Sequence, residues 1–202
     1  VARLVLASAS PRRVQMLRGR GYAFRTLACP LPERCDAGLA CDALVCALAE
    51  QKARYALARV EAGCVVLGAD TAVCLEGAAL GKPKDAQDAM RMLALLSGRT
   101  HTVYTGVCIL QRGAPAHIFA CGTRVTFRAL SQGEIARYVA GGEPMDKAGA
   151  YSIQGGAGAF VSRIEGDFDT VVGLPMDKVA HALAAMGVVP QPIEIRGDER
   201  DV

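Results

Sequence analysis

Two long strand-like runs, "THTVYTGVCILQ" at 100–111 and "AHIFACGTRVTFRAL" at 116–130, flank the turn-forming "RGAP". They read as one β-hairpin. A long antiparallel pair in mid-chain excludes a purely parallel sheet, whatever surrounds it. Before it, strands and helices alternate. "RLVLAS" is a strand ended by Ser8, and Ser10 with Pro11 signals the start of a helix through "RRVQMLRGR". A strand at "AFRTLAC" and a helix from Leu39 to about Val60, alanine-rich with helical apolar spacing, follow. "CVVLGAD" and "AVCLEG" read as two strands, and "KDAQDAMRMLALLSG" as a helix closed by Gly98. After the hairpin come a serine-capped helix at "SQGEIARYVAGGE", a glycine-rich segment, and a last helix from Pro175 to about Met186. The expected fold is α/β, a mixed twisted sheet flanked by helices and elongated, in one domain over residues 1–189. A polar tail is expected over 190–202.

Composition narrows the function. Hydrophobic residues make up 51%, enough for a sizeable core, while aromatics are 5% and tryptophan is absent. Few stacking platforms and a net charge of +3 argue against a nucleic-acid polymer as partner. A local basic pocket for a small anion remains compatible. The eight cysteines form no CxxC pair and have no neighbouring His, so they read as reduced core residues. No segment could span a bilayer without a charge or a glycine cluster, and the first apolar run is too short for the core of a secretory leader. A cytoplasmic protein without membrane association is expected.

Four stretches carry candidate chemistry. In "LASASPRR", a strand running into a helix leaves free backbone N–H groups backed by the helix dipole, where phosphates settle. Ser8 and Ser10 add hydroxyls, and Arg12 and Arg13 add forked guanidinium groups matched to phosphate oxygens. Taken alone, Ser10 equally well caps the helix and the arginines are solvated. In "LGADTAV", Asp70 directly after a buried strand suits a divalent cation or a proton-accepting role, or it bonds loop N–H groups. In "GKPKD", Pro83 stiffens the loop that presents Lys82, although the spacing is not a Walker loop. Lys52, in "LAEQKARY", is on its own an ordinary helix lysine. In "DKAGAYSIQGGAGAF", the glycines permit close backbone approach, and the Gln154 amide suits a base edge. Cations at two loops, hydroxyls at one and a carboxylate at another suit a polyphosphate with a metal. No Ser-His-Asp order is apparent, so a carboxylate-metal scheme is favoured over a covalent one.

The blocks "LASASPRR", "LAEQKA", "LGADTAV", "GKPKDAQDAMRMLALLSGRTHTVYTGV" and "DKAGAYSIQGGAGAFVSRIEGDFDTVVGLP" occur in the order of the Maf family of nucleoside triphosphate pyrophosphatases, which the chain resembles over most of residues 4–186. The resemblance implies two lobes around a central cleft and a homodimer. It also implies metal-assisted (Mg or Mn) hydrolysis of a nucleoside triphosphate to monophosphate and pyrophosphate. On matching positions it implies Asp70 as the catalytic acid/base and a metal ligand. Arg12, Thr71 and Gln154 are tied to substrate choice, and Ser8, Arg13, Lys52 and Lys82 to the phosphates. Glu33 is implied as the second metal ligand, with Asp36 competing for that role. The "DKAGAYSIQG" segment resembles the branch acting on dTTP and UTP. The alternatives are a 7-methyl-GTP pyrophosphatase and a nucleotide-binding regulator of cell division without turnover.

Overall fold

The computed structural model describes residues 3–32 and 38–191. Its order begins β1 (Leu4–Leu6), α1 (Pro11–Gly19), β2 (Phe24–Thr26), α2 (Cys41–Leu57) and β3 (Val65–Leu75). Then come β4 (Ala78–Leu80), α3 (Ala86–Leu96), β5 (Thr100–Gln111), β6 (His117–Phe127) and α4 (Gln132–Ala140). Short 3-10 turns at Glu143–Asp146, Ala148–Ala150 and Gly156–Phe160 lead into β7 (Val161–Glu165), α5 (Phe168–Val172) and α6 (Met176–Ala185). Ser131 closes a reciprocal capping box with Glu134 at α4, and Asp85 caps α3. Ser10 occupies the cap position of α1, but its side chain makes no capping bond, and Pro11 alone sets the helix start.

The seven strands among the described residues form one mixed sheet in the order β2-β1-β3-β5-β6-β7, with β4 paired to β3 off that path. β1 runs parallel to β2 and β3, and the other pairings are antiparallel. The hairpin read from the sequence is β5–β6, in register from Thr100 opposite Thr126 to Ile109 opposite His117.

One expectation is corrected. The two strands read at "CVVLGAD" and "AVCLEG" are the single strand β3, because β5 pairs with it continuously from Val65 to Cys74. Asp70 therefore sits in mid-strand rather than beyond a strand end. β5 fills one edge of β3, and the opposite edge is divided. There β1 pairs only as far as Leu67, and β4 starts at Val73. Between those points no described strand pairs with this edge of β3, at the place where the chain leaves β1 for α1.

Strand alternation sends neighbouring side chains of β3 to opposite faces. Val66 packs with Ala49, Ala53 and Ala56 of α2, and Ala72 and Cys74 pack with Cys41 and Val45. Glycines let this helix lie close. A Cβ on Gly68 would come within 2.3 Å of the Ala49 carbonyl oxygen, and one on Gly106 within 2.3 Å of the Val45 carbonyl carbon. On the other face, Val65, Leu67 and Ala69 join Leu17, Val179 and Leu183 in one core. Val73 and Leu75 join Met92, Leu93, Leu96 and Ile135 in a second. The two cores are separated at Thr71 and Thr105, opposite each other in β3 and β5.

The cysteine reading is also corrected at one pair. Cys41, at the start of α2, and Cys74 of β3 form a disulfide, with Cα atoms 6.5 Å apart. Their separation of 33 residues matches no short motif; helix packing on the strand brings them together. Cys64 and Cys108 are free and buried, as expected of small core residues. At the C-terminal end, Val188 is buried and the Gln191 N–H donates to the Gly21 carbonyl at 2.8 Å, so the chain is still anchored at the start of the expected tail. The tail from residue 192 lies outside the described residues. No described helix is long and apolar enough to cross a membrane.

Candidate active site

A cleft of about 460 Å³ opens beside the edge of β3 that lies between β1 and β4. It is lined by Ser8, Arg12, Arg13, Lys52, Asp70, Thr71, Lys82 and Gln154, all singled out from the sequence. Glu33 and Asp36, the expected metal positions, lie outside the described residues.

Asp70 and Thr71 reach this space from opposite faces of one strand. Asp70 faces α2, where Lys52 Nζ donates to its Oδ1 at 2.5 Å. The two side chains are only 17% and 12% exposed. Burying a carboxylate without an opposite charge is costly, so this pairing accounts for a lysine on an otherwise small and apolar helix face. The glycine contacts under α2 set the reach. A side chain at Gly106, directly opposite Asp70 in the register, would lift the helix that carries Lys52.

Thr71 faces the other side, into a polar layer between the two cores. Arg13 is buried there. Its Nε donates to the Gly173 carbonyl (2.8 Å), Nη1 to Ser8 Oγ (3.1 Å) and Nη2 to Thr71 Oγ1 (3.0 Å). This guanidinium ties the β1–α1 turn, β3 and the segment after α5 into one frame. The Thr71 and Thr105 hydroxyl oxygens are 2.9 Å apart, and Thr105 donates to the Thr170 carbonyl at 2.7 Å. Ser8 Oγ also accepts the Ser10 N–H at 3.2 Å.

Lys82 is exposed on a loop anchored where the Gly149 N–H donates to the Gly81 carbonyl at 3.0 Å. Gln154 is exposed on a turn braced by Tyr138 and Glu143. Tyr138 accepts the Ser152 N–H and donates to Glu143, which accepts the Gly156 N–H. Val73, Val103, Ala148, Tyr151, Ile153 and Val171 add an apolar wall to the cleft, with Lys82 and Lys147 beside it.

The residues alone did not reveal several members. Asp146 and Lys147 line the rim as an ion pair. The Lys147 ammonium holds the Asp146 carboxyl below the usual carboxylate range, and Arg12 acts in the same direction. Tyr151 forms part of the wall, and its hydroxyl lies 2.8 Å from His101 Nε2. Burial pushes the His101 imidazole down to about 4 and Tyr151 upward. Thr105 was legible in principle as a polar interruption in an apolar strand face.

Among the described residues no group of three or more His, Cys, Asp or Glu gathers as a metal cluster. Asp70 is the buried hard oxygen donor of the cleft. One or two carboxylates completed by substrate phosphates is a donor set that suits Mg²⁺.

The comparisons agree with this geometry. The family model described as Maf-like protein matches residues 3–186. A protein of Bacillus pumilus named dTTP/UTP pyrophosphatase is 46% identical over 187 residues, covering 93% of this chain and 98% of that one. A Moorella thermoacetica protein of the same name is 50% identical over 190 residues, covering 93% and 97%. The solved structure of a HAM1 protein from Coxiella burnetii superposes with a TM-score of 0.50 at 14% identity, covering 90% of this chain and 98% of that one. At that identity it speaks for the fold alone. Motif blocks, cleft and full-length match converge: the chain belongs to the Maf-like protein family.

Proposed function

We propose that this protein is a nucleoside triphosphate pyrophosphatase that hydrolyses dTTP and UTP to the monophosphate and pyrophosphate. The names of its relatives, at 46–50% identity over nearly full length, support the activity. The observation that carries the reading in this chain is the Lys52–Asp70 pair, set in one cleft with Ser8, Arg12, Arg13 and Lys82.

The reaction adds water at the α-phosphorus and breaks its bond to the α–β bridging oxygen, and pyrophosphate leaves. Asp70 takes the proton of the attacking water as general base, with Lys52 holding the carboxylate in place. Negative charge grows on the departing pyrophosphate. Lys82, Arg12 and the α1 N-terminus offer positive charge and donors there, where stabilisation lowers the barrier most. Ser8 serves the phosphates, and Arg13 holds Ser8 and Thr71 in position. Asp70, with Glu33, would hold a divalent cation, which when bound neutralises phosphate charge. Gln154, Arg12 and Thr71 serve nucleotide choice, and the apolar wall takes the nucleoside. A single domain over 1–189, a homodimer and a cytoplasmic location complete the reading.

The test is turnover of dTTP and UTP, with Mg²⁺ or Mn²⁺, beside CTP and 7-methyl-GTP, with both products identified. The expected products are monophosphate and pyrophosphate, and Asp70→Asn is expected to lower kcat by about 10²–10⁴-fold with unchanged folding. Release of orthophosphate, or near-native turnover by a folded Asp70→Asn protein, overturns the assignment.

A further inference from the structure

The hydroxyls around Arg13 carry more information than their distances alone, because each has one proton to donate and two lone pairs to accept with. Thr105 is fully buried, and its proton is committed to the Thr170 carbonyl at 2.7 Å. The 2.9 Å contact between Thr105 and Thr71 therefore has one possible direction: Thr71 donates and Thr105 accepts. Thr71 also accepts from Arg13 Nη2 at 3.0 Å, which leaves it one lone pair and no proton. Toward the cleft Thr71 is an acceptor only.

Ser8 has the opposite character. Its oxygen accepts from Arg13 Nη1 at 3.1 Å and from the Ser10 N–H at 3.2 Å, which occupies both lone pairs. Its proton is left to be donated, and Ser8 lines the cleft. The same guanidinium thus sits between a hydroxyl that donates outward and a hydroxyl that accepts.

We propose that Thr105 is a positioning residue that fixes this polarity. It holds Thr71 as an acceptor for a donor group on the nucleoside, an N–H or a sugar hydroxyl, while Ser8 donates to phosphate oxygen. The proposal rests on the nucleotide reading above and assigns the direction of its hydrogen bonds. Phosphate oxygens are pure acceptors, so Thr71 is excluded from binding them, and its contribution to recognition is confined to the nucleoside half. Thr105 is fully buried and does not line the cleft, so it acts through Thr71.

The test is a double-mutant cycle read as kcat/KM for dTTP, with pyrophosphate inhibition measured beside it. Thr105→Val removes the acceptor of the Thr71 proton and is expected to lower kcat/KM about tenfold, chiefly through KM, with little change in the pyrophosphate inhibition constant. Thr105→Ser keeps the hydroxyl and is expected to stay within threefold of wild type. In a Thr71→Val background, Thr105→Val is expected to cost nothing further. Ser8→Ala is expected to weaken pyrophosphate inhibition at least fivefold. An unchanged kcat/KM in Thr105→Val, or an undiminished loss when Thr71 is already Val, overturns the proposal. So does pyrophosphate inhibition weakened in Thr105→Val as much as in Ser8→Ala, because the Thr105 change leaves the Arg13 contacts to Ser8 and Thr71 in place. Absence of dTTP turnover in the wild-type protein overturns the underlying nucleotide reading instead, so the two failures are separable.

Discussion

His101 lies behind the cleft wall, 2% exposed, edge-on to Phe127 and Tyr151, with Nε2 on the tyrosine hydroxyl. Its Nδ1 is buried and finds no hydrogen-bond partner among the described residues. Burial holds the folded imidazole neutral, near 4 against an ordinary value of 6.5. Between those pH values the unfolded chain binds the proton and the folded one does not. Stability from this group is therefore intact above pH 6.5 and falls as pH drops toward 4, by about 3 kcal/mol in total. Denaturation curves for wild type and His101→Gln are expected to converge in slope above pH 6.5, with the wild type losing stability more steeply below it. Parallel curves down to pH 4 would remove His101 from the acid limb. Lys52 teaches the complementary lesson about legibility. In the sequence it is one lysine of an ordinary helix, and only the approach of α2 to β3 turns it into the partner of Asp70. Charge and residue type are local properties, whereas pairing belongs to the tertiary arrangement.

That approach belongs to α2 as a unit. Its alanine face lies directly on Gly68 and Gly106, and at Gly106 the nearest atoms are helix backbone at Val45 and Cys46. Gly106→Ala is expected to push the helix outward, cost about 1–3 kcal/mol in urea denaturation, and reduce kcat because Lys52 is carried away from Asp70. Full activity with full stability would show that the glycine contact does not set the position of the lysine. The long helices and the β5–β6 hairpin are legible in the sequence because their apolar periodicity repeats over several turns or several pairs. β3 reads as two strands because its polar residues, Asp70 and Thr71, look like a strand end when the partner strand is unknown. The short β7, α5 and the 3-10 turns of the glycine-rich segment offer too few residues for any period to emerge. Their structure follows from contacts such as the Tyr138–Glu143 brace on residues 152 to 156.

The disulfide ties the start of α2 to β3 across a separation of 33 residues, and both Lys52 and Asp70 lie inside the loop it closes. Closing a loop of that length removes conformational freedom from the unfolded chain worth about 3–4 kcal/mol in the chain-entropy account. Urea denaturation with and without a thiol reductant is expected to differ by that order, and Cys41→Ser is expected to abolish the difference. Equal midpoints would show that the crosslink contributes nothing to global stability. The two cores on either side of the polar layer share β3 and β5, strands of 11 and 12 residues that run unbroken from one half to the other. The halves are thus joined by a woven spine of sheet rather than by a single-chain tether at that point. The width of the mouth between them is set by the bend and twist of those two strands, so the molecule responds to an occupant as a stiff spring does, resisting in proportion to how far it is forced.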